Sequence, residues 1–450
     1  MSGSFKLKKG LDIKIKGAAK KVLAGEVGAA LYGVRPSDFP GLTPKLCVRP
    51  GDKVKAGTTL FFNKTRPEVK FSSPVSGTVQ AVNRGEQRRI LDIVIEKSGD
   101  DYLDFGKEEI KSVTRTKIKE KMLESGLWPV VRQRPYHIVA NPADIPKSIF
   151  ISGFDTAPLA PDSAFVMENT DPVAFQNGLD VVAKLTDGKV NLVLNSKVSP
   201  PAVLVNAKGV DISYFSGPHP AGNPGVHIHH IDPLNKGEII WVINLQDIAV
   251  IGQFFTEGVY RHDRIIALAG SEVVNPQYYR IRSGSSVSEI LKDNLTDLKP
   301  RCISGNVLTG TGIESDGYLG FYDSMITVIP EGDYFEFFGW ALPGIKKYSF
   351  SNAFMSSVLP SKQYTFDTNY HGGHRAFVLT GQYEKVVPMD IYPMQLLKAI
   401  LAEDIDGMEN LGIYEIAEED FALCEFICAS KIEIQSIVRQ GLNLMIKEMN

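Results

Sequence analysis

The sequence predicts a multidomain α/β protein: a small β domain, a domain that alternates strands with helices, a β-rich region and a helical end. Three observations carry this. Short apolar runs broken by Gly and Pro fill the first hundred residues. Strand-length and helix-length apolar segments then alternate to about residue 262, and helical spacing dominates after Pro388. At 450 residues the chain is too long for one ordinary core. The expected boundaries are 1–104, 105–262, 263–380 and 381–450.

Composition is that of an ordinary globular protein, 43% hydrophobic and 22% charged with a formal charge of −3, and it gives no reason to expect nucleic acid as a partner. Four cysteines (Cys47, Cys302, Cys424 and Cys428) do not make a disulfide framework, and Met1 to Lys9 has no apolar core of a signal peptide. A reducing cytoplasm fits. The most apolar stretch, Ile239 to Phe255, is interrupted by Asn244, Gln246, Asp247 and Gln253, so no membrane span is expected.

In the first domain, Val48-Arg-Pro-Gly-Asp-Lys-Val-Lys-Ala-Gly-Thr-Thr-Leu-Phe-Phe62 is followed by Val69-Lys-Phe-Ser-Ser-Pro-Val-Ser-Gly-Thr-Val79, with turns at Gly51-Asp52 and Pro74 to Gly77. This resembles the biotinyl/lipoyl type of barrel-sandwich hybrid. The region where a carrier lysine would stand, Asn63 to Glu68, lacks the carrier frame, so Lys64 reads as a surface lysine.

Residues Lys107 to Arg134 hold eight Lys/Arg against four Glu, with Ile118, Met122, Leu123 and Leu127 at helical spacing, which predicts an amphipathic helix ending near Gly126. Its tail, Leu127-Trp-Pro-Val-Val-Arg-Gln-Arg-Pro-Tyr-His137, admits two readings. One is a solvated basic helix with Trp128 as a packing anchor. The other is a pocket wall in which Arg132 or Arg134 donates to carbonyl or phosphate oxygens.

Strands are expected at Ser148–Ser152, Val190–Leu194, Val210–Phe215, Ile239–Ile243 and Ile265–Leu268, and helices at Val173–Thr186 and Leu245–Thr256. The Rossmann-like pattern lacks G-x-G-x-x-G, so dinucleotide binding is not supported. Between two of these strands lies Ser216-Gly-Pro-His-Pro-Ala-Gly-Asn-Pro-Gly-Val-His-Ile-His-His-Ile-Asp232, with four of the eight histidines. Its prolines and glycines predict an ordered loop at the edge of a cleft. His219, His227 and His229 do not match zinc spacings, so no metal is assigned.

Further on, Gly270, Val273, Pro276, Tyr279 and Ile281 resemble the soluble-ligand-binding β-grasp (SLBB) module, followed by a helix with a Ser286/Glu289 capping box. Residues 300–380 are expected to continue as β structure, with Phe338-Gly-Trp-Ala-Leu-Pro-Gly344 as an aromatic anchor. Residues Glu403 to Glu425 hold nine acids and no base, a run suited to a basic surface or to solvent. Cys424 and Cys428 cannot hold a four-cysteine cluster alone.

Taken together, Lys8-Lys-Gly-Leu-Asp12, Val69 to Gly77, Glu124-Ser-Gly-Leu-Trp128, Gly217-Pro-His-Pro-Ala-Gly222, Phe338-Gly-Trp-Ala341 with Pro343-Gly344, and Glu419-Asp-Phe-Ala-Leu-Cys424 resemble the NqrA subunits of the Na+-translocating NADH:quinone oxidoreductases, relatives of the RnfC subunits of the Rnf complex. The resemblance implies a peripheral subunit on the cytoplasmic side of the bacterial inner membrane. Its partners would be the other subunits, including an integral membrane subunit. It implies no redox cofactor on this chain, NADH and flavins elsewhere in the complex, and quinone as the substrate. By that analogy the quinone site is sought among Phe39, Trp128 and Tyr136 as walls and Arg132, Arg134, His137 and His219 as donors. The alternative is a redox-silent docking subunit.

Overall fold

The computed structural model describes residues 3–296, 299–339, 341–358 and 363–449. The strands that organise it are the apolar runs named above. Ser148–Ser152, Lys189–Asn195, Asp211–Ser216 and Ile240–Ile243 form the parallel part of a seven-stranded sheet. Val131–Arg134 joins it antiparallel beside Ile240–Ile243, and Ile138–Val139 closes that edge. The central strands are buried on both faces, which is why they read as continuous apolar runs.

Helices Pro172–Ala183 and Leu245–Glu257 cover one face of this sheet. The first starts where Asp171 accepts from the Val173 N–H and Pro172 takes the first helical position; the second stops where Gly258 turns left-handed at φ 75°. They cross at two glycines. A Cβ on Gly178 would stand 1.8 Å from the Ile248 carbonyl oxygen, and one on Gly252 would stand 1.9 Å from that of Ala174.

The β domain is two small sheets. Leu31–Val34, Ile90–Lys97, Gly77–Arg84 and Lys53–Val54 form one; Pro44–Leu46, Thr59–Asn63 and Lys70–Ser72 form the other. Leu60, Phe61, Phe71, Val79, Ile93 and Ile95 fill the space between them. Arg115–Ser125 is the expected amphipathic helix, capped by Thr114 and ended by Gly126 in the left-handed region. Gly126 lies so close to Ser72 that a Cβ would reach within 2.3 Å of its Oγ, so the connector is seated on the β domain.

The N-terminal extension does not stay with the β domain. Ser4–Lys6 adds a parallel strand beside Asp211–Ser216, and Leu23–Glu26 adds one beside Gln277–Arg282. The latter belongs to a six-stranded sheet with Asp263–Ala269, Pro300–Ser304, Thr311–Ile313 and Met325–Pro330.

Four expectations are corrected here. Within the 216–232 stretch, Pro224–Ile231 is a helix, because Asn223 sits extended as its N-cap and Pro224 at N1 needs no donor; only 217–223 is loop. The short helix after the β-grasp hairpin is Ser288–Leu291 and begins at Val287, with no side-chain cap; the Ser286 hydroxyl is spent instead on the Asp316 carbonyl. No strand occurs in 331–380 among the described residues, whose backbone groups are held by turns and side chains instead. Phe338 is half exposed rather than a buried anchor, since it lies in that unsheeted segment; Trp340 lies outside the described residues.

The helical end, Pro393–Leu401, Ile405–Asn410, Ala422–Ile427 and Ile434–Met449, packs its own apolar core against the far face of the large sheet. Much of its acidic run is paired, although Glu403, Asp404 and Asp406 stay exposed. Glu409 pairs with Lys236, Glu415 with His229, Glu419 and Asp420 with Arg134, and Glu418 with Arg439. Cys424 and Cys428 are buried, and the Tyr383 hydroxyl donates to the Cys428 sulfur at 2.9 Å. No helix among the described residues is long and apolar enough to cross a membrane.

Candidate functional site

In the large sheet the chain leaves Ser148–Ser152 toward Lys189–Asn195 on one side, while Ile240–Ile243 lies on the other. The order therefore reverses between these two strands, and a crevice opens beyond their carboxyl ends, the place where α/β sheets take ligands. A cleft of about 410 Å³ lies there. Phe154, Val166, Val242 and Ile243 supply apolar walls, Asn244 to Gln246 bring the start of helix Leu245–Glu257, and Arg132, His137 and His219 supply polar groups. Residues from every part of the chain reach it: Asp38 and Pro40 from the β domain, Asn306 and Tyr322 from the third region, and Glu418, Glu419 and Gln435 from the helical end.

Arg132 is held on three sides. One guanidinium nitrogen donates to His137 Nε2 at 2.7 Å, another to Asn244 Oδ1 at 2.8 Å, and the plane lies 4.7 Å from the centre of the Tyr322 ring. Arginine only donates, so His137 Nε2 must accept. The proton of this neutral ring then sits on Nδ1, 3.3 Å from Glu418 Oε2. Burial pushes the His137 imidazolium down, and the nearby guanidinium of Arg134 adds to this, against the Glu418 carboxylate. His137 is thus not the free donor the sequence suggested; it orients Arg132. Glu418 is itself held below the usual carboxylate range, since His137 and Arg439 outweigh the cost of its burial.

His219 is 4% exposed, and the peptide bond to Pro220 is cis. Its Nδ1 lies 3.1 Å from Thr156 Oγ1, an oxygen that already accepts the Gly222 N–H at 2.9 Å. A threonine oxygen can accept twice, so either partner can donate this bond; where the hydroxyl donates to Nδ1, the neutral ring carries its proton on Nε2. Burial lowers its pKa to about 4, so the ring is neutral at pH 7. Asp38, also on the cleft, is raised to about 6 by burial, partly offset by Arg35 and the Phe321 N–H.

The other named residues do not line the cleft. Phe39 is buried against Phe71, Phe321 and Tyr322, so it backs the Tyr322 wall. Trp128 is fully buried, its indole N–H donating to the Ala140 carbonyl at 2.7 Å and its ring edge-on to Trp241. The packing-anchor reading describes it. Arg134 is buried farther along the same strand, where it pairs with Glu419 and Asp420. Tyr136 packs edge-on against Tyr414, and its carbonyl accepts from Arg439. The helix at 224–231 also disperses the histidines. His227 bonds the Ala221 carbonyl, while His229 pairs with Glu415. No metal-holding group of three occurs among the described residues.

Sequence reasoning missed Asn244, Tyr322 and Glu418. Asn244 follows an expected strand and opens an expected helix, a position the switch-point rule could have flagged. Glu418 stood in the acidic run. Nothing local marks Tyr322.

Sequence models of three family domains match this chain in order: the NqrA N-terminal barrel-sandwich hybrid domain at 5–98, the NqrA second alpha/beta domain at 113–260 and the NQRA C-terminal domain, of SLBB type, at 265–315. The NqrA subunit of the Na(+)-translocating NADH-quinone reductase of Photorhabdus laumondii is 39% identical over 448 residues, 99% of this chain and all of the relative. The chain belongs to the NqrA family of Na+-translocating NADH-quinone reductase subunits. The member from Yersinia pseudotuberculosis is 40% identical over 450 residues, again 99% of this chain and 100% of that one. The family is that of one subunit of an enzyme complex, and its three domain types are the barrel-sandwich, α/β and β-grasp units of this fold.

Burial of two neutral histidines fixes an acid response. His227, like His219, is held down to about 4 by burial. In the unfolded chain both would titrate near 6.5, so between pH 6.5 and 4 the unfolded state binds more protons and stability rises with pH. It is fully present above 6.5. Each ring should cost about 2 kcal/mol of stability on going from pH 7 to pH 5. Urea midpoints at the two pH values check this, and His219→Gln should remove about half of the loss assigned to the pair.

Proposed function

We propose that the switch-point cleft binds a quinone headgroup, and that the chain serves its complex by contributing to quinone binding while carrying no redox cofactor of its own. The observation that carries this is that Arg132 and the neutral His219 ring line one cleft that has apolar walls. A quinone ring is apolar and offers two acceptor oxygens, so it calls for walls and donors rather than a counter-charge. Two of the acids at the cleft, Glu418 and Glu419, are already paired with Arg439 and Arg134, which suits a neutral ligand. NADH and flavins would act elsewhere in the complex. The four expected domains would then be the walls of one site, with the chain peripheral on the cytoplasmic side of the membrane and its partners including an integral membrane subunit.

The docking reading keeps one observation of its own. Among the described residues, more than half of the large apolar side chains left exposed, Phe335, Phe337, Met355 and Val358 included, lie between 334 and 379. A partner surface would explain them. Both readings can hold, because docking and cleft occupy different parts of the chain.

Titration of the full chain with a soluble short-chain quinone, followed by heat and tryptophan fluorescence, tests the cleft. Arg132→Ala and His219→Ala should each weaken binding by about tenfold, the loss of one hydrogen bond to a well-oriented donor. Trp128→Phe should leave affinity unchanged, since its indole points into the core. Unchanged affinity in both cleft variants, together with unchanged quinone reductase activity when they are placed in the assembled complex, would overturn the reading.

A further inference from the structure

The stretch Lys8-Lys-Gly-Leu-Asp12 does not itself line the cleft, yet it lies directly against the loop that presents His219. Ser4–Lys6 pairs with the edge strand in register, Phe5 opposite Phe215 and Lys6 opposite Ser216. The chain then continues across loop 217–223. The Leu7 N–H donates to the Ser216 carbonyl at 2.7 Å, the Leu11 N–H donates to the His219 carbonyl at 2.8 Å, and the His219 N–H donates to Asp12 Oδ1 at 3.0 Å. Both main-chain groups of His219 are therefore spent on residues 11 and 12.

Two glycines let these segments touch. Gly10 has φ 134°, and a Cβ there would stand 2.2 Å from the His219 carbonyl oxygen; a Cβ on Gly217 would stand 2.8 Å from the Leu7 Cβ. The Gly10 N–H also donates to the Lys385 carbonyl at 3.1 Å, so the same segment reaches the helical end of the chain.

We propose that residues 7–12 are a strap that positions His219, with Asp12 the positioning residue that sets quinone affinity from outside the cleft. The end of the loop has its own anchors, Gly222 on Thr156 and Ser152 and Ala221 on His227, but His219 has few. Pro218 and Pro220 offer no N–H, and of the His219 side chain only Nδ1 is anchored, by Thr156. Without the Asp12 carboxylate the His219 N–H loses its acceptor, and the ring can tip away from the Thr156 hydroxyl. The proposal rests on the quinone reading for its effect on affinity, but not for the position of the ring.

The experiment uses the full chain and three variants: Asp12→Ala, Asp12→Asn and His219→Ala. Quinone affinity is read with the same short-chain probe, and the His219 ring is read by its NMR titration. Asp12→Ala should weaken binding by about tenfold and leave no further loss when combined with His219→Ala. It should also raise the His219 pKa from about 4 toward 6.5 as the ring gains water. Asp12→Asn keeps an oxygen acceptor and should rescue both. A His219 titration unchanged by Asp12→Ala, or losses that add in the double variant, would overturn the strap. If no protein binds quinone but the titration moves as stated, the strap stands and the quinone reading falls.

Discussion

Replacing Arg134 with methionine is expected to destabilise the protein by about 3–5 kcal/mol and to loosen the helical end of the chain from the large sheet. Arg134 is 1% exposed, and its guanidinium donates to Asp420 Oδ2 at 3.1 Å and to Glu419 Oε1 at 2.6 Å. Asp420 is buried as well and also accepts the Ala417 N–H, while its Oδ1 has no partner. Removing the cation leaves that carboxylate in an apolar surround. Its escape is to take up a proton, so the variant should be least stable at neutral pH and recover part of the loss as pH falls. Arg134→Met with Asp420→Asn should be more stable than Arg134→Met alone, because the fully buried charge is gone and only the more exposed Glu419 is left without its partner. Urea unfolding at pH 7 and pH 5 measures both effects. Hydrogen exchange should show protection lost first in 405–427. A variant whose stability is unchanged while quinone affinity falls would return Arg134 to the ligand-donor role that the sequence suggested for it.

That outcome bears on what the sequence could and could not reveal. Residues Arg132 and Arg134 are two apart on one strand, yet Arg132 meets the cleft and Arg134 the helical end. The period of two puts them on one face, and the run 418–420 serves both: Glu418 holds His137 beside Arg132, while Glu419 and Asp420 take Arg134. The basic, aromatic composition of 127–137 was legible. The division of labour inside it needed the strand, which pairs with Ile240–Ile243 only through a contact over a hundred residues away. The parallel core was the most legible part: strands largely buried on both faces leave apolar runs, and the ends of the four expected strands differ from the structure by no more than one residue. The helix at 224–231 was hidden because its prolines and glycines look like a loop, although Pro224 stands where helices begin. The lacing of residues 4–6 and 23–26 into two other sheets was not legible at all. Edge pairing of three or four residues has no local signal.

The parallel core also sets the second large effect, Gly178→Ala. The added Cβ would fall 1.8 Å from the Ile248 carbonyl oxygen, a backbone atom on the facing helix that cannot rotate away. Helices Pro172–Ala183 and Leu245–Glu257 must separate to admit it, and the expected cost is about 3 kcal/mol or more. The site should feel the shift, because the start of the second helix carries Asn244, whose Oδ1 accepts from Arg132 at 2.8 Å. If the helix moves, Arg132 keeps His137 and Tyr322 but loses its third anchor, and quinone affinity should fall by several-fold even where the protein remains folded. Gly28→Ala is the control, for nothing lies within 4 Å of its Cβ position, and its effect should stay within about 0.5 kcal/mol. Equal urea midpoints for the two variants would mean that the helices can part at no cost. In that case the crossing at Gly178 and Gly252 could not be what fixes Asn244 at the mouth of the cleft.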